Sequence, residues 1–155
     1  MADALLATLA AARAAGDPAP LLAALPYARF LGIDARAEGD GLVLTMQAAP
    51  HLVGNPSLPA LHGGTLGALL EIAAIAAVAW RDGAVVPRTI SLTIDYLRSA
   101  PPTATHAEAT LVRVGRRVAT VAAVAWQGAR AEPVAQATIK LLVAPRSTPA
   151  ARGDD

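Results

Sequence analysis

Leu61-His62-Gly63-Gly64-Thr65-Leu66-Gly67-Ala68-Leu69-Leu70-Glu71-Ile72-Ala73-Ala74-Ile75-Ala76-Ala77-Val78-Ala79-Trp80 decides the fold of this chain. It opens as a glycine-rich turn and continues as a helix that is apolar on every side, with Glu71 as its only acid. Such a helix needs cover all round, and one curved sheet covers only one side. The helix is therefore expected inside the concave face of a sheet, with the N-terminal segment or a second subunit closing the rest. A membrane span of this length is rejected. The stretch holds a His, three Gly, a Thr and a mid-span Glu, and a charge there costs about 2.5–3.5 kcal/mol on insertion scales.

The flanking sequence supplies the sheet. Upstream, Leu5, Leu6 and Leu9 mark a first helix that Gly16 stops. A short helical turn runs from Pro18 to Leu25, and Pro26 is expected to end it. Residues 27–37 read as a first strand, Gly39-Asp40-Gly41 as a hairpin turn, and Leu42, Leu44 and Met46 as one face of the second strand. Residues 48–61 read as a loop stiffened by Pro50, Pro56 and Pro59. Downstream, Thr89–Arg98 alternates Ile90, Leu92, Ile94 and Tyr96 against Thr89, Ser91, Thr93 and Asp95. Three further strands follow: Thr105–Val114, with a phase shift near Val112 that signals a bulge, Val118–Trp126 and Val134–Val143. The order predicts an α+β fold with a largely antiparallel sheet. Its expected organisation is an N-terminal helical segment over 1–26, one domain over 27–144 and a disordered tail over 145–155.

Composition removes several function classes. The chain of 155 residues has no cysteine, which excludes disulfides, thiolate nucleophiles and cysteine-ligated zinc. His51, His62 and His106 lack metal-ligand spacing, so no metal is expected. Net charge is +1 without a basic run, and aromatics are only 3%, so no nucleic-acid partner is expected. Met1-Ala2-Asp3 has no basic n-region, which predicts no signal peptide and a cytoplasmic location.

Glu71 is the candidate catalytic carboxylate, because a carboxylate leaves water only at a cost and needs a partner or a task. It would act as general base on water or as nucleophile; the alternative is a structural acid at a subunit seam. Gly63 and Gly64 stand at a helix N-terminus, where backbone N–H groups and the helix dipole favour a developing negative charge. Alternatively they only allow close packing. His62 would orient the turn, hold a water or cap the helix. Asn55 would bond the attacking water or the acyl oxygen, or else make an Asx turn. Arg98, Arg116 and Arg117 suit phosphate oxygens, or are simply solvated.

These residues resemble the hotdog-fold acyl-CoA thioesterases, in particular the PaaI-like branch related to phenylacetic acid degradation. The likeness rests on Asn55 in the proline-rich loop, Leu61-His62-Gly63-Gly64, Glu71 nine positions after His62, Asp95-Tyr96-Leu97-Arg98-Ser99-Ala100 and Gly115-Arg116-Arg117. It runs from about Leu31 to Val143 and implies an antiparallel sheet wrapped around a long central helix, in a homodimer or homotetramer with active sites at the dimer interface. It also implies an acyl-CoA substrate bound across subunits and no further cofactor. Thr89, Ser91 and Thr93 are expected on one face of their strand, and Thr89 has the offset from Glu71 that the resemblance associates with a substrate-contacting hydroxyl. Ile75 departs from the threonine found one turn after the acid in benzoyl-type relatives. Small or aliphatic residues at Ala68, Ile72 and Ile75 leave room for an aryl or medium-chain acyl group. A hotdog enoyl-CoA hydratase or dehydratase, and a non-catalytic acyl-CoA-binding protein, are the competing readings.

Overall fold

The computed structural model describes residues 2–83 and 85–143; the expected tail over 145–155 lies outside them. Three short N-terminal helices, α1 (Ala2–Ala15), α2 (Ala19–Ala23) and α3 (Pro26–Phe30), precede strands β1 (Ile33–Glu38) and β2 (Gly41–Met46). A 3-10 turn (Pro50–Leu52) and a small hairpin, β3 (Val53–Asn55) and β4 (Leu58–Leu61), lead into the long helix α4 (Gly63–Asp82). Strands β5 (Arg88–Tyr96), β6 (Thr105–Val114), β7 (Val118–Trp126) and β8 (Ala135–Leu142) complete the chain. The main sheet has the order β1-β2-β6-β7-β8-β5, and every pairing is antiparallel. This is the hotdog arrangement, with α4 lying along the inner face.

The alternating pattern explains the sheet. Ala135, Ala137, Ile139 and Leu141 of β8 and Ala119, Val121, Ala123 and Ala125 of β7 are buried against α4, while the residues between them on β8 face outward. Alanine dominates these inner positions, which lets the sheet close on the helix. Helix α4 answers with Leu66, Leu69, Leu70, Ala73, Ala74 and Val78, all buried. It is the one helix among the described residues long and apolar enough to cross a membrane, and 61% of its most apolar window is buried inside the protein.

Three expectations are corrected. Pro26 begins a helix instead of ending one: its fixed φ and missing N–H suit the first helical position, so 26–30 is helical and β1 starts only at Ile33. The segment 48–61 is not a bare loop. Its prolines sit at the start of the 3-10 turn, in the hairpin turn and within β4, where each tolerates a lost donor.

Thr89 does not share a face with Ser91 and Thr93. A bulge between Thr89 and Ser91 shifts the register against β8. Thr89 pairs with buried Leu141 and faces inward, Ser91 pairs with exposed Lys140, and the extra residue Ile90 is left 54% exposed. The bulge expected near Val112 is present, between Leu111 and Arg113.

Candidate active site

The N-terminus of α4 is built by four neighbouring elements. The His62 N–H donates to Leu52 O at 2.8 Å and the Leu61 N–H donates to Ala100 O at 2.8 Å, which fixes where the helix begins. His62 is the N-cap, with extended backbone, and its Nδ1 accepts the Gly64 N–H at 2.9 Å. His62 O accepts the Thr65 N–H at 2.9 Å and the Thr65 hydroxyl at 2.7 Å. A helix start leaves its first amides without intrahelical partners. Here Gly64 and Thr65 find acceptors, and the Gly63 N–H has none among the described residues. Of the two predicted donors, the turn leaves Gly63 open. A Cβ at Gly63 would meet the Tyr96 ring at 3.1–3.2 Å, so a larger residue there requires the ring to give by a few tenths of an ångström.

Asn55 lies in the hairpin beside this turn, since its neighbour Gly54 packs against His62. Its Oδ1 accepts the Ser57 N–H at 2.9 Å, making an Asx turn and leaving the side-chain amide donors unbonded among the described residues. Glu71 stands two turns further along α4. It is half-buried and makes no hydrogen bond or salt bridge among the described residues. With Gly64, Ala68 and Ile75 it forms the one stripe of α4 that the sheet does not fully cover.

Helix and strand run side by side in opposite senses. Gly63 lies against Tyr96 and Gly67 against Ile94. At roughly 1.5 Å per helical and 3.3 Å per strand residue, Glu71 falls about level with Leu92, roughly 10 Å along the strand from Thr89. The Thr89 hydroxyl is buried and has no hydrogen-bond partner among the described residues, so an inward-facing donor and acceptor stands ready on this side of the helix.

The arginines divide. Arg98 donates to Pro133 O at 2.6 Å and ties the end of β5 to the β7–β8 loop. Arg116 and Arg117, with Arg113, line an open hollow of about 710 Å³ at the β6–β7 turn, and none of the three is ion-paired to a carboxylate among the described residues. That turn lies at the Arg88 end of β5, because Val118 and Arg88 both pair with Leu142. The α4 N-terminus lies at the Tyr96 end, roughly 26 Å away along the strand. The structure thus brings His62, Gly63, Gly64 and Asn55 together at one end of the sheet, with Glu71 and Thr89 further along it. It puts Arg116 and Arg117 at the opposite end. Sequence reasoning gave Tyr96 only a place in the alternating strand and in the resemblance, and missed its contact with Gly63. The only signal was a phenol at the end of a strand of unknown packing.

Fold and site together define a hotdog protein of the thioesterase superfamily. The family model described as the acyl-CoA thioesterase N-terminal domain matches residues 55–142, and the chain belongs to that family. No curated protein matches it. Among solved structures, a protein from Chromobacterium violaceum is similar at 31% identity and a TM-score of 0.70, over 87% of this chain and 95% of that one. A phenylacetic acid degradation-related protein from Ralstonia eutropha shares 28% identity at a TM-score of 0.68, over 77% of this chain and 90% of that one. A Streptococcus mutans protein solved with acetyl CoA shares the fold at 19% identity and a TM-score of 0.64, over 75% and 91%.

Proposed function

We propose that the protein hydrolyses the thioester of an acyl-CoA in a site shared between two copies of the chain. The observation that carries this reading is the pairing of an open Gly63 N–H at a helix N-terminus with an uncompensated carboxylate, Glu71, on the same helix. Eight residues of helix separate them by roughly 12 Å. That is too far for both to act on one carbonyl within a single chain.

Strand β5 offers the solution. It is an edge strand whose outer side is unpaired over nine residues, Arg88–Tyr96, a ready template for a second copy. Antiparallel self-pairing about a two-fold axis near Ile94 sets the Tyr96 level of one protomer beside the Leu92 level of its partner. The α4 N-terminus of one chain then approaches the carboxylate of the other. The same operation carries the Arg116 and Arg117 turn of the partner toward that end, where guanidinium forks suit the phosphates of coenzyme A.

In the reaction, the Gly63 N–H polarises the thioester carbonyl. The Glu71 carboxylate of the facing chain removes a proton from water as the water oxygen bonds to the acyl carbon. Negative charge gathers on the acyl oxygen and is held by the N–H and the helix dipole. Collapse breaks the carbon–sulfur bond, the proton passes to sulfur, and a carboxylic acid and the free thiol leave. The Thr89 hydroxyl and the Asn55 side-chain amide are within the shared site to orient the water and the acyl oxygen, and His62 shapes the turn. Ala68 and Ile75 on the uncovered stripe leave space for an aryl or medium-chain acyl group.

The test is thiol release from phenylacetyl-, benzoyl-, hexanoyl- and palmitoyl-CoA by wild type and by folded Glu71→Ala. Turnover that collapses in the variant supports hydrolysis centred on Glu71, and the panel names the acyl class. Coenzyme A esters that bind without turnover would favour a binding protein instead.

A further inference from the structure

Gly63 joins two peptide planes, and both are held. The plane before it carries the open N–H and is fixed through its carbonyl, His62 O, which accepts both the N–H and the hydroxyl of Thr65. The plane after it is gripped at both edges. Its N–H, that of Gly64, goes to His62 Nδ1 at 2.9 Å, and its carbonyl, Gly63 O, already an acceptor in the α4 ladder, also accepts the Tyr96 hydroxyl at 2.9 Å. The Tyr96 ring also lies under the turn, in the space a Gly63 side chain would need, with its hydroxyl 3.9 Å from where a Gly67 Cβ would stand. Tyr96 is 55% exposed, so burial does not force its hydroxyl onto this carbonyl; water was available to it. Glycine resists reorientation less than any other residue. An N–H carried by a Gly-Gly turn is preorganised only if its partners hold it.

We infer that Tyr96 is a positioning residue for the polarising turn. Its hydroxyl fixes the Gly63–Gly64 peptide, so that the Gly63 N–H keeps the direction that meets the acyl oxygen. This rests on the thioesterase reading above and adds a residue 33 positions away that touches no substrate atom. His62 and Tyr96 grip the same peptide from opposite edges, and the unbonded N–H is the one next to it.

Tyr96→Phe keeps the ring beneath Gly63 and removes only the hydroxyl. The expected result is a kcat lowered about tenfold or more with KM within about twofold of wild type, because a misplaced transition-state donor affects the chemical step. The unfolding midpoint and oligomeric state stay at their wild-type values. A second variant isolates the route. Gly63→Pro removes the N–H itself, and the Cβ it brings against Tyr96 is matched by Gly63→Ala, which keeps the N–H; adding Tyr96→Phe costs little more in the proline background, and those two losses are far from additive. The inference is overturned if Tyr96→Phe leaves kcat unchanged, if kcat falls only together with loss of the oligomer, or if the two losses add in full. A wild type that turns over no CoA ester overturns the thioesterase reading and this inference with it, and that result is read on wild type alone.

Discussion

The two ends of α4 are finished differently. At the C-terminus, Gly83 takes the left-handed conformation at φ +72° and its N–H donates to Ala79 O at 2.8 Å. Arg13 of α1 then reaches across and donates to Arg81 O at 2.9 Å and Asp82 O at 3.4 Å, putting positive charge where the helix dipole is negative. Three of the last carbonyls, those of Ala79, Arg81 and Asp82, are closed by the protein itself. At the N-terminus, His62 and Thr65 close the neighbouring groups and Gly63 is left open. The fold had the means to finish both ends and finished one. An open end on the helix that carries an uncompensated acid is what the proposed chemistry requires and what stability alone would close.

Breaking the open end should cost activity, and breaking the closed end should cost stability. The largest effect expected is that of Glu71→Ala, which lowers kcat about 10³-fold with no fall in the unfolding midpoint, since a half-buried carboxylate without a partner is lost. Gly63→Pro comes next. Proline suits the first helical position; it removes the N–H and brings a Cβ against the Tyr96 ring. Gly63→Ala carries the same Cβ toward Tyr96 and keeps the donor. Proline should fall about 10²–10³-fold below alanine in kcat, measured side by side at saturating substrate.

At the other end, Gly83→Ala strains a left-handed residue and drives a Cβ into the Arg13 guanidinium. It should lose about 1–2 kcal/mol in chemical denaturation with kcat/KM unchanged. Arg13→Met uncaps the same carbonyls and should lose about 0.5–1 kcal/mol, again without a kinetic effect.

The smallest effect lies far from both ends. A hydrogen bond from Arg130, with further help from the Arg130 and Arg36 charges, holds the exposed Glu38 carboxyl below the usual carboxylate range. A depressed folded value stabilises above the ordinary range, and that contribution disappears as pH falls through the depressed value. Glu38→Gln should therefore be slightly less stable than wild type at neutral pH and equal to it in strong acid, a small difference for an exposed pair.

Much of the architecture was legible because period decides it. The all-apolar run of α4 and the alternation of β5 and β8 leave little choice, and Gly16, Gly39 and Gly83 punctuate as their positive φ requires. What escaped depends on contacts between distant segments or on one inserted residue. Pro26 can end or begin a helix, and only packing decides. Thr89 turned inward because Ile90 bulges, which alternation alone does not reveal. The Gly-Gly turn and Glu71 stood out as chemistry. Which glycine keeps its N–H free turned on the ring position of His62 and on Tyr96, 33 residues away.

The central claim is that the polarising N–H and the carboxylate acting on one thioester come from different chains. Subunit mixing tests it directly. Glu71→Ala and Gly63→Pro homo-oligomers are each nearly inactive; mixed after subunit exchange, half of the dimers pair one of each. Every mixed dimer then holds one intact site, with Gly63 from one chain and Glu71 from the other. The account predicts recovery toward about a quarter of wild-type activity. A mixture that exchanges subunits yet stays as inactive as its parents would place both groups in one chain and contradict it.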